Sequence, residues 1–256
     1  MNAFAAAAAA RDPATARPAS AALRVGGVSH YFGSLEVLRN VAFDVAPGEI
    51  VALLGASGCG KSTLLNLVAG LEPLQQGEIG LPPSASLGYM FQEDRLLPWR
   101  NVRDNVAFGL ETSGLPYAQR RQRALDTLAL VGLDGFAQAW PHELSGGMRS
   151  RAALARTLVM QPDLLLMDEP FSKLDPHTRS QMHEELLRIQ AARRATILFV
   201  THDVEEAVVL ADRIVLLAPR PGRIREIVPV GLPRPRHPTD PDVAETTRHL
   251  RLKVQP

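Results

Sequence analysis

The run Gly55-Ala56-Ser57-Gly58-Cys59-Gly60-Lys61-Ser62, with Thr63 after it, has the spacing G-x-x-x-x-G-K-[ST] of a loop that holds phosphate. Glycines let the backbone curl until successive N–H groups face one anion, and a helix that starts at the loop's end adds its positive terminus. Lys61 is placed to reach β- and γ-phosphates, and the Ser62 hydroxyl is a hard ligand suited to Mg²⁺. Asp168 and Glu169 directly follow the apolar run Leu164-Leu165-Leu166-Met167, so both carboxylates fall at a strand end. Ligands of open α/β sheets collect at that edge. Asp168 suits the Mg²⁺ shell, and Glu169 suits a water that must be oriented or deprotonated. Without a phosphate loop the pair would read as an acidic cap before Pro170. Ser145-Gly146-Gly147 opens another helix and offers a second anion cradle. Cys59, beside a lysine and a helix start, is expected to carry a lowered thiol pKa. No His-Asp pattern surrounds it, so no nucleophilic role is expected.

Particular elements must carry these groups. Ile50 to Leu54 is a continuous apolar run, as in a strand covered on both faces, and it leads straight into the glycines. After Lys61, the residues Leu64, Leu65, Leu67, Val68 and Leu71 recur at helical spacing, giving the order strand, loop, helix. Further buried strands are expected at Leu164 to Met167, Ile197 to Thr201 and Ile214 to Leu217, alternating with helices in a mostly parallel α/β sheet. Upstream, Val25 to Phe32 and Val41 to Val45 predict an antiparallel strand pair. Strand signals vanish over 93–162, where Ala118 to Val131 and Gly146 to Val159 predict helices of an inserted helical subdomain. Residues 1–22 are expected to form a flexible Ala-rich tail, 23–231 the main domain, and 232–256 a proline-dense C-terminal tail that offers at most a strand pair or a surface-hugging end.

Composition narrows the function classes. The chain has 256 residues, 46% hydrophobic, with 28 basic against 27 acidic residues, so it supplies a substantial core but no global field for nucleic acid or an anionic bilayer. The single cysteine excludes an internal disulfide and fits a reducing compartment. No apolar run approaches the ~18 residues of a spanning helix, so membrane association would need a partner.

Leu144-Ser145-Gly146-Gly147-Met148 resembles the LSGGQ signature of ATP-binding cassette (ABC) ATPases. The resemblance covers nearly all of 23–231 and implies a P-loop NTPase (RecA-like) core with an antiparallel β subdomain and an inserted α-helical subdomain. It implies ATP and Mg²⁺ as ligands, and a homodimer in which Ser145, Gly146 and Gly147 close on the γ-phosphate held by the other protomer. By local motif Gln92 resembles the Q-loop glutamine, a contact to Mg²⁺ or water, and His202 resembles the switch histidine at the γ-phosphate. Asp175 resembles the D-loop aspartate at the dimer seam. An aromatic residue should stack on adenine, and counting back from Gly33 favours Phe32, with Tyr31 as the alternative. Met148, Ser150 and Lys173 depart from the commonest pattern. The stretch Phe91-Gln92-Glu93-Asp94-Arg95-Leu96-Leu97-Pro98-Trp99-Arg100 is similar to the nitrate, sulfonate and taurine branch of importer ATPases. Trp99 then either meets a permease helix or anchors the helical subdomain. The branch implies separate permease subunits, a periplasmic or lipid-anchored solute-binding protein met only indirectly, and a place on the cytoplasmic face of the membrane. ABC ATPases that act on nucleic acid usually carry paired cassettes or a long coiled coil, and this sequence has one phosphate loop, no heptads and no basic arm.

Overall fold

In the computed structural model, which describes residues 21–254, two sheets share the chain. Strands β1 (Leu23–Phe32), β2 (Leu35–Val45) and β4 (Gln76–Gly80) form an antiparallel sheet in the order β2-β1-β4. The larger sheet has the order β5-β6-β7-β3-β8-β9, from β3 (Ile50–Leu54), β5 (Leu87–Met90), β6 (Leu164–Asp168), β7 (Thr196–Thr201), β8 (Arg213–Ala218) and β9 (Arg223–Pro229). Its first five strands are parallel, and β9 returns antiparallel to β8.

All five residues of β3, like those of β6, are buried, as the unbroken apolar runs require. Alternation sorts them into two cores. Ile50, Ala52, Leu54, Leu165 and Met167 pack with the helical layer formed by α2 (Val102–Ala107), α3 (Tyr117–Leu130), α4 (Gly146–Leu158), α5 (Pro176–Arg193) and α6 (Val204–Leu210). Val51, Leu53, Leu164 and Leu166 pack with α1 (Lys61–Val68), β1 and β2. Each fully buried aliphatic side chain contributes about 1.5–3 kcal/mol, so these strands are the costliest places to introduce polarity.

The helices α2, α3 and α4 all lie between β5 and β6. Several elements differ from the sequence reading. Helix α1 stops at Val68, because Gly70 turns the chain with φ 69°, and Leu71 lies beyond it, 54% exposed. The strands β4 and β5 had no sequence signal. The expected tail at 232–256 instead carries α7 (Pro241–Val254), which seats Val243, Thr247 and Leu250. Arg236 pins its approach, donating to the carbonyls of Val208, Ala211, Val230 and Leu232. The N-terminal tail expected over 1–22 lies outside the described residues except for Ala21 and Ala22. Among the described residues no helix is long and apolar enough to cross a membrane.

Candidate functional site

The phosphate loop leaves β3 at Gly55 and ends where Gly60, φ 93°, caps α1. Only glycine fits there, because a Cβ on Gly60 would stand 2.6 Å from Leu38 Cδ2. Helix α1 thus begins hard against β2, its first-turn N–H groups without intrahelical acceptors. Lys61 is 5% exposed and folds back over the loop, its Nζ donating to the carbonyls of Gly55 (2.8 Å) and Ala56 (3.0 Å). A cavity of about 300 Å³ is lined by Ser57, Gly58, Lys61 and Ser62 together with Gln92 and Glu169. Thr63 also lines it, whereas Cys59 does not. The Cys59 thiol corrects the sequence expectation: burial pushes its pKa up, and the opposing Lys61 charge does not offset this.

Asp168 is the last residue of β6, and its Oδ1 accepts the Ser62 hydroxyl at 3.0 Å. Burial raises its pKa first, and neighbouring Glu169 adds to this, against the Ser62 hydrogen bond and the Lys61 charge. The Ser62 hydroxyl, Asp168 carboxylate and Gln92 amide are hard oxygen donors, the set that suits Mg²⁺. Glu169 leaves the strand with φ 46°, its N–H donating to Val200 O at 3.0 Å. A non-glycine residue in that region stores strain, and here the turn aims the carboxylate toward two neighbours. Gln92 Nε2 donates to Glu169 Oε2 at 3.3 Å, and His202 Nδ1 lies 3.2 Å from Oε1. Residues 92, 169 and 202, far apart in sequence, thus meet at one carboxylate.

Phe32 is 50% exposed, with its ring edge-on to His30 at 4.8 Å between centroids. Tyr31 is engaged elsewhere: its hydroxyl donates to Glu36 at 3.2 Å, and Gln75 clamps its backbone N–H and C=O. A free aromatic face is therefore offered by Phe32. Ser145 is the N-cap of α4, accepting from the Met148 N–H at 3.2 Å, with Gly146 and Gly147 in the first turn. None of these three lines the cavity at Lys61. Asp175 is exposed and caps α5 by accepting the Thr178 N–H at 3.0 Å, which holds its carboxyl below the usual range. Ser150 is buried in α4, and Lys173 is exposed.

Sequence reasoning missed a latch between α4 and the segment after Gln92. Arg156 donates from Nη1 to Arg95 O (2.6 Å) and from Nη2 to Asp94 O (2.7 Å). Arg149 donates to the Asp94 carboxylate (3.1 Å) and to Leu144 O (2.8 Å), joining this segment to the turn that presents Ser145. Arg95 itself has φ 45° and lays its guanidinium 3.8 Å over Phe91. Of the apolar residues that follow, Leu96 enters the core, while Trp99 is 69% exposed. Leu96, not Trp99, anchors the helical layer.

A sequence profile of the family described as "ABC transporter" matches residues 38–172. The chain is 49% identical over 202 residues to the taurine import ATP-binding protein of Rhizobium johnstonii, covering 77% of each chain. It is 41% identical over 240 residues to the aliphatic sulfonates import ATP-binding protein of Bacillus cereus, covering 90% of this chain and 93% of that one. Among solved structures it resembles a dimeric ATP-binding cassette in a post-hydrolysis state bound to ADP and Pi, with TM-score 0.72 and 28% identity over 81% of this chain and 98% of that one.

Proposed function

The chain belongs to the ABC transporter family as an ATP-hydrolysing importer subunit, and from that premise we propose how its own residues bind ATP, position water and transmit closure. The observation that carries the reading is the convergence of Gln92 and His202 on Glu169 beside the phosphate-loop cavity.

Phe32 supplies a flat face for adenine, and Gly55 to Thr63 supply N–H groups and the Lys61 ammonium for the phosphates. Ser62 and Asp168, with Gln92, would hold Mg²⁺, which arrives with the nucleotide and neutralises phosphate charge. Glu169 accepts a proton from the attacking water, while Gln92 and His202 fix the carboxylate's direction and His202 faces the γ-phosphate. Ser145 to Gly147 form a separate anion cradle at the start of α4, which we assign to a nucleotide on a second copy, with Asp175 at the seam. Two copies therefore form two complete sites between them, a reading supported by the solved cassette bound to ADP and Pi, which is dimeric.

A separate permease as partner is supported by the relatives named as import ATP-binding proteins. Exposed Trp99, on a segment latched to α4, is the surface proposed to meet it at the cytoplasmic face of the membrane. Relatives named for taurine and aliphatic sulfonates support a small sulfonate-type anion as the solute, delivered to the permease by a separate solute-binding protein. The test is Glu169→Gln in the permease complex. We expect ATP binding to persist while hydrolysis falls by about 10²- to 10⁴-fold. Near-normal turnover would remove Glu169 from the role of base.

A further inference from the structure

The loop between β8 and β9 leans on the phosphate loop from outside. Gly222 donates its N–H to Val37 O at 2.7 Å and accepts the Arg39 N–H at 2.9 Å. A Cβ on Gly222 would stand 2.1 Å from the carbonyl oxygen of Cys59, so the two loops meet backbone to backbone. Two residues earlier, exposed Arg220 brings Nη2 within 3.6 Å of where a Cβ on Gly58 would sit. Its backbone has φ 24°, a region that ordinary side chains seldom adopt and that concentrates at functional sites. Among the described residues no carboxylate pairs with Arg220, and the same holds for Arg223 and Arg225 on β9, so what sets Arg220 apart is its place beside Gly58. The molecule thus holds an unneutralised guanidinium at the lip of an anion cradle.

We propose that Arg220 is a further polyphosphate-binding residue of the nucleotide site, directed at the β- and γ-phosphate oxygens of a nucleoside di- or triphosphate. The proposal rests on the reading of Gly55 to Thr63 as the phosphate loop. A guanidinium keeps its charge at all physiological pH and presents a planar fork of donors that matches phosphate oxygens. Lys61 answers the phosphates from within the loop, and Arg220 answers them from its rim near Gly58. The side chain is solvent-exposed, so its attraction is screened over about 8 Å at physiological salt and yields a modest effect.

The experiment is equilibrium binding of ATP, ADP and AMP to the isolated full-length chain at low and high salt. Wild type would be compared with Arg220→Ala, Arg220→Gln, Arg220→Lys and, as a control for the loop, Lys61→Ala. In Arg220→Ala and Arg220→Gln, ATP and ADP should bind about five- to tenfold more weakly at low salt, with the gap shrinking at high salt. AMP affinity should stay unchanged, and Arg220→Lys should recover part of the loss. Unaltered ATP and ADP affinity in both neutral variants overturns the proposal. So does a defect confined to ATP-driven dimer assembly, which would assign Arg220 to a carboxylate of the second copy. Failure of wild type to bind ATP, with Lys61→Ala indistinguishable from it, would instead overturn the phosphate-loop reading.

Discussion

Arg156→Met keeps a long apolar stem while removing two donors, those to Arg95 O at 2.6 Å and Asp94 O at 2.7 Å. Charge-assisted hydrogen bonds contribute about 1.5–3 kcal/mol each. Burial lowers the Arg156 pKa, so the guanidinium regains hydration when the latch opens, and a net loss of about 2–3 kcal/mol is expected. For a domain of this size that is a fall of roughly 5–10 °C in melting temperature. Asp94→Asn should cost far less, below about 1 kcal/mol, because the Arg149–Asp94 pair is 37% and 26% exposed at its two side chains. The functional effect should be selective. Nucleotide affinity of the isolated subunit should hold within about twofold, since the latch does not touch the phosphate loop, and RT ln 2 is only about 0.4 kcal/mol. ATPase activity in the permease complex should fall, because Gln92 reaches Glu169 only through a 3.3 Å contact that depends on where the following residues are held. Thermal melts, nucleotide titration and coupled ATPase assays separate these effects. A variant that melts within a degree of wild type and turns over normally would refute the latch.

Glu169→Gln should sediment as a dimer with MgATP and as a monomer without it, because the proposed arrangement closes each cradle at Ser145 on a nucleotide of a second copy. Persistent monomer at high protein and nucleotide concentration would count against the shared-site arrangement. Trp99→Ala should leave nucleotide affinity intact but weaken co-purification with the permease by about thirtyfold, the effect of losing roughly 2 kcal/mol at an interface. Normal assembly and transport would remove Trp99 from that surface. Cys59, buried and with its pKa raised, should react with maleimide more slowly at neutral pH than an exposed thiol, because less thiolate is present. Its reaction should quicken as pH rises toward and past the raised pKa, so a rate equal to that of the unfolded chain would contradict the burial argument.

What could be read beforehand follows from how each element is buried. Within β3, β6, β7 and β8 the central residues form unbroken apolar runs because both faces are covered, and that pattern survives in one dimension. Strand β4, Gln76–Gly80, is almost wholly exposed and contains two glycines, so it exists only through pairing with β1. Helix α7 was hidden by the prolines that lead into it, although Val243, Thr247 and Leu250 recur at helical spacing. The residues proposed for the phosphate loop and the signature stand out in sequence because a tight glycine turn at a helix start demands their types. The latch does not, since Arg149 and Arg156 look like ordinary charges on an amphipathic helix, and their partners lie 55 to 62 residues away. For Cys59, the neighbouring lysine was visible in sequence and the burial that outweighs it was not.

The sorting of β6 between two cores makes each position along that strand an address with only two values. Leu164 and Leu166 face the layer that includes α1, while Leu165 and Met167 face the opposite one. Continuing the count assigns Asp168 to the α1 side, where its carboxylate meets Ser62. One inserted residue would send that carboxylate to the wrong side of the sheet and exchange the cores of the residues displaced with it. Two would restore the side but overshoot the rim by about 6.6 Å. The length of this strand is therefore quantised, and drift in chain length over generations is confined to the loops.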